Sequence, residues 1–158
     1  MDKKSKAYLT AALISLAIAL IVFYAGIMAN AAGSSVTVTY TRIGDVYTLV
    51  TYTWTADDSN GSVPATASKS LAGYIVKVVT DPGATAPTDD YDITLTDSDG
   101  VDVMGGALAD RDTANTEQAV PKIGAAYGGS FFTGALTLNI SNNSVNSATG
   151  EVKVYISR

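Results

Sequence analysis

With 158 residues the chain has room for one domain of about 100–150 residues and an N-terminal extension. Ten Lys and Arg stand against fifteen Asp and Glu, a formal charge of −5; only Lys3, Lys4 and Lys6 are grouped, so no phosphate-binding stripe is present and nucleic acid is not an expected partner. Cys and His are both absent, which excludes a Ser-His-Asp triad, a Cys nucleophile, zinc or haem held by His or Cys, and disulfide stapling.

After the lysines, residues 9–28 run without a charge, and ten of them are Leu, Ile, Val or Phe. At roughly −0.3 to −0.6 kcal/mol each these contribute about −3 to −6 kcal/mol to bilayer insertion. A membrane-inserting helix is therefore predicted over 9–28, with the remainder of the chain on the extracytoplasmic side, because the lysines stay in the cytoplasm. Ala29-Asn30-Ala31 is an A-x-A pattern suited to signal peptidase. Cleavage after Ala31 gives a secreted domain and retention gives an anchored one, so the predicted division is 1–32 and 33–158.

Val36 to Tyr40 alternates strictly and reads as the first strand, with the valines and Tyr40 on one face. Val46 to Thr55 is β-branched and aromatic, and Val46, Thr48, Val50, Tyr52 and Trp54 are expected to face inward. Trp54 is read as a packing residue, with carbohydrate stacking as the alternative. A loop over Asp57 to Ser70 follows. Leu71 to Thr80 reads as a strand covered on both faces in the middle of a sheet, Ile75 and Val79 opposing Tyr74, Val76 and Val78.

Asp81-Pro82-Gly83 makes a turn, and Tyr91 to Thr96 alternates as a half-buried strand. A two-residue turn at Asp99-Gly100 would place Val101 and Val103 on the polar face. A three-residue loop, Ser98-Asp99-Gly100 with Gly100 left-handed, sets Leu95 opposite Val103 and Asp97 opposite Val101, and is the predicted register. Leu108 to Asp112 reads as a helical turn or loop, Thr113 to Val120 as a strand stopped by Pro121, and Phe132 to Ile140 as one strand with Gly134, Leu136, Leu138 and Ile140 on one face. Val152, Val154 and Ile156 mark the last strand. Seven or eight short strands predict an all-β fold, an antiparallel β-sandwich or jelly-roll-like domain. An elongated β-domain completed by a neighbour is the alternative, with Ser35 to Thr41 as the donated strand.

Asp97, Asp99 and Asp102 are the candidate metal ligands, since closely spaced carboxylates around a glycine turn resemble the opening of a calcium loop. No Glu follows where an EF-hand requires one, and Asx hydrogen bonding in a turn explains the same residues. Calcium is the one cofactor these residues suggest. Every Asp falls in a turn or on a polar face, so no carboxylate pair is placed for glycoside hydrolysis and a non-enzymatic role is expected.

Several strings fit a known pattern: 80–89 (TDPGATAPTD), 91–95 (YDITL), 99–103 (DGVDV), 111–118 (RDTANTEQ) and 143–150 (NSVNSATG). In these residues the chain resembles a family of small virion-associated β-proteins of tailed bacteriophages and prophages, over roughly residues 71–158. The resemblance implies a virion structural protein, such as a capsid decoration, head/tail accessory or membrane-tethering subunit, which assembles with copies of itself and with other virion or envelope proteins. It carries over no catalytic residue. The apolar N-terminus is not part of it and opens a second expectation, an exported cell-surface or pilus-like filament subunit that binds by strand addition or through a surface.

Overall fold

The computed structural model describes residues 33–158, and all of their regular structure is β. The predicted helix over 9–28 and the cleavage position after Ala31 lie outside the described residues. Among the described residues no helix is long and apolar enough to cross a membrane.

Eleven strands occur among these residues: β1 (Ser35–Ile43), β2 (Tyr47–Thr55), β3 (Thr66–Ala67), β4 (Leu71–Pro82), β5 (Asp92–Thr96), β6 (Glu117–Ala119), β7 (Lys122–Ile123), β8 (Ala126–Tyr127), β9 (Ser130–Gly134), β10 (Thr137–Ser141) and β11 (Thr149–Ser157). The main sheet runs β1-β2-β11-β4-β6, with β9 also on β4, and curls into a half-barrel. A three-stranded sheet, β3-β10-β5, and the β7-β8 hairpin complete the fold. Every pairing between these strands is antiparallel.

The buried side chains follow from alternation. Thr48, Val50, Tyr52 and Trp54 of β2 and Val152, Val154 and Ile156 of β11 point inward from the main sheet. Ile93 and Leu95 of β5 and Leu138 of β10 come from the smaller one, and Met104, Leu108, Phe132 and Leu136 join the same core. The inward face of β2 is therefore as expected except at Val46, which precedes the strand and is half exposed. Trp54 packs, its ring centroid 6.1 Å from that of Tyr91. With 1% of its surface exposed it offers no face for a sugar, which removes the stacking alternative.

β4 lies inside the sheet, between β11 and the β6/β9 edge, as its apolar character demands. Its phase differs from expectation. Tyr155 pairs with Lys77 and Ile156 with Ile75, so Val76 is an extra, unpaired residue on β4. The bulge places Ile75 and Val78 on one buried face and leaves Val76 outside, where an unbroken period of two would separate them.

The loop after β5 has the predicted register. The Val103 N–H donates to the Leu95 carbonyl at 2.9 Å, the Asp97 N–H to the Val101 carbonyl at 3.0 Å, and Gly100 has φ of 78°. The returning arm is shorter than expected: it makes one bridge, Asp102 to Thr96, before the chain turns away. The expected strand over Thr113 to Val120 shrinks to β6. Phe132 to Ile140 is two strands rather than one, because the chain leaves the main sheet at Gly134 and enters the small sheet at Thr137. Leu136 sits at this crossing, its N–H donating to Ser68 Oγ at 3.0 Å and its carbonyl accepting from Ser68 N at 2.8 Å and Tyr52 Oη at 2.7 Å. Burial of Tyr52 pushes its phenol up to about 12, so the hydroxyl stays a donor.

Candidate functional site

The side of the main sheet turned away from the core changes character along the strands. Registration across β1, β2, β11, β4 and β9 aligns Ile43, Tyr47, Ser157, Tyr74 and Phe131 in one row. The next row is Thr41, Leu49, Tyr155 and Lys77, with Val76 beside it on the bulge. These rows form an apolar, aromatic band. Tyr74 and Phe131 are each more than half exposed, with ring centroids 5.1 Å apart. Ile43, Tyr47, Val76, Lys77 and Tyr155 line a shallow depression, and the Lys77 ammonium lies 4.7 Å from the Tyr155 ring centroid.

Toward the other end the same surface becomes polar. Thr39, Thr51, Lys153, Val79 and Gln118 form the third row, and Thr37, Thr53, Glu151 and Asp81 the fourth. Lys153 Nζ sits 2.6 Å from Glu151 and 3.7 Å from Asp81. The hydrogen bond with Glu151 raises the Lys153 pKa from its ordinary value. The apolar end of β1 lies eight residues from Ser35, about 27 Å at 3.4 Å per residue.

The three candidate calcium ligands do not share a site. Asp97 Oδ1 accepts from the Asp99 and Val101 N–H groups, both at 3.0 Å, closing an Asx turn. Asp102 accepts through Oδ1 from Leu95 N at 3.2 Å and Met104 N at 3.1 Å, and through Oδ2 from Gly106 N at 2.8 Å. Asp99 is exposed at the loop tip. Among the described residues no group of three or more His, Cys, Asp or Glu is placed to hold a metal ion.

Two other carboxyls, Asp57 and Asp112, are held below their ordinary pKa. The Ser59 side chain and the Ser59 and Asn60 N–H groups do this for Asp57. The Asn115 side chain and the Ala114 and Asn115 N–H groups do it for Asp112. A general acid needs the opposite shift.

The aromatic band was only partly legible in the alternation. Placing Trp54 inward puts Tyr47 outward, and placing Val154 and Ile156 inward puts Tyr155 outward. Phe131 and Tyr74 meet through the β4–β9 pairing, which joins segments distant in sequence. Comparison of the chain with protein-family models, with curated proteins and with solved structures finds no match.

Proposed function

We propose that the chain is a non-enzymatic structural subunit of a virion, a decoration, head/tail accessory or membrane-tethering protein that assembles through its β-domain. The carrying observation is the band of Ile43, Tyr47, Tyr74, Val76, Phe131 and Tyr155. Exposed apolar patches of this kind often mark interaction sites, and the core of an assembly interface is enriched in Tyr and Phe. The family resemblance over residues 71–158 supports the same reading. The uncharged stretch 9–28 supplies the tether, with the β-domain on the extracytoplasmic side.

The architecture we assign is a β-sandwich. Its support is that inward side chains of the main and small sheets belong to one core. The cell-surface filament reading makes a different prediction about location. Mass spectrometry of purified particles should find this chain at fixed stoichiometry, and its first residue, Met1 or Ala32, decides anchor or cleavage. Its presence in envelopes of uninfected cells and absence from particles would replace the virion with the filament. In either setting Tyr74→Ser with Phe131→Ser should abolish incorporation, at a folding cost of about 1–2 kcal/mol for the lost cross-strand aromatic pair, with the domain still folded by circular dichroism.

A further inference from the structure

We propose that the free edge of β1 is a homotypic docking edge, on which β1 of a second copy of this chain pairs antiparallel about a twofold axis through Thr39. The proposal rests on the assembly reading above and names one of its contacts. β1 ends the main sheet, so one side of its backbone has no strand beside it among the described residues. It is nine residues long and keeps an unbroken register with β2. The usual protections of an edge are missing: β1 has no proline, no bulge and a single charge, Arg42, at its far end.

The sequence of β1 favours its own copy as the occupant. Pairing centred on Thr39 engages all nine residues, and any other symmetric centre engages fewer. Arg42 then lies opposite Val36, so no like charges meet. Thr37 faces Thr41 and Thr39 faces Thr39 on the outer surface, and Val38 faces Tyr40 on the inner one. Thr–Thr and aromatic–β-branched pairs are among the favourable cross-strand combinations. Val36, Val38 and Tyr40 are each only half buried by their own chain, and a second β1 would cover them. The remaining edges are poorer matches. β6 has three residues and β9 five, and β5 is flanked by bridges from Thr96 to Asp102 and Tyr91 to Arg111. Joining β1 to one of those would also be a head-to-tail contact, which gives a ring or a filament and not a twofold dimer.

The chain contains no cysteine, so single cysteines report unambiguously. Thr39→Cys, introduced in the full-length protein in detergent and oxidised, should give a disulfide-linked dimer as the main species. Thr37→Cys alone should stay uncrosslinked, since its copies are offset by four residues, about 14 Å, beyond disulfide reach. Mixing Thr37→Cys with Thr41→Cys should restore the dimer. Equal crosslinking at Thr37 and Thr39, or none at Thr39 or in the mixture, would overturn the proposal. The mass of the unsubstituted protein separates the two failures: an oligomer without these crosslinks removes this edge and leaves the assembly reading, and a monomer with no copurifying partner removes both.

Discussion

Gly100 and Gly150 are glycines for opposite reasons. Gly100 has φ of 78° and open space where a side chain would go, so the constraint is backbone conformation alone. Gly150 pairs with Trp54, and a Cβ there would stand 2.7 Å from indole Cζ2 and 2.9 Å from Nε1, so the constraint is room. Gly100→Ala should cost about 1–2 kcal/mol, the penalty of one left-handed residue. Gly150→Ala should cost about 1–3 kcal/mol by forcing the indole aside. Urea denaturation measures both. Only the second should alter Trp54 fluorescence in the folded state, and equal, unshifted spectra would show that the indole has room.

Among elements, the crossing between sheets at Leu136 is the place where a small change has structural reach. Ser68 is buried, accepts the Leu136 N–H and donates its own N–H to the Leu136 carbonyl. Ser68→Ala removes the hydroxyl acceptor and leaves the buried Leu136 N–H without it, a cost of about 1–3 kcal/mol. A Thr replacement that keeps the hydroxyl should recover part of that loss, and urea midpoints of the two variants check it. This crossing was invisible in the sequence because Phe132 to Ile140 keeps its alternation through the change of sheet. The phase of β4 was hidden for a related reason: a bulge at Val76 is decided by the partner strand, and its neighbours Ile75 and Lys77 carry no mark of it. The Gly100 loop was readable because its constraints are local, a glycine at the left-handed position and two valines that must reach the core. The position of β11 between β2 and β4 was not, since strand order depends on contacts across most of the chain.

At the scale of the whole molecule, the main sheet has two unlike surfaces. One is closed over a core that the small sheet shares, and the other grades from Thr, Lys and Glu near Ser35 to Tyr, Phe, Ile and Val about 27 Å away. Among the described residues an open β1 edge borders that graded surface. The candidate carboxylates serve turns, and the shifted ones are stabilised as anions, so the proposed assembly role rests on the aromatic band and the β1 edge. Of the candidate function, the sequence carried the outward tyrosines and the unprotected first strand; the coming together of Tyr74 with Phe131 depended on folding. The most direct test is the mass of the full-length protein in detergent, measured by light scattering with the detergent subtracted. Twice the chain mass or a higher whole-number multiple, stable on dilution, is the predicted result, and a single-chain mass with no copurifying partner would contradict the account.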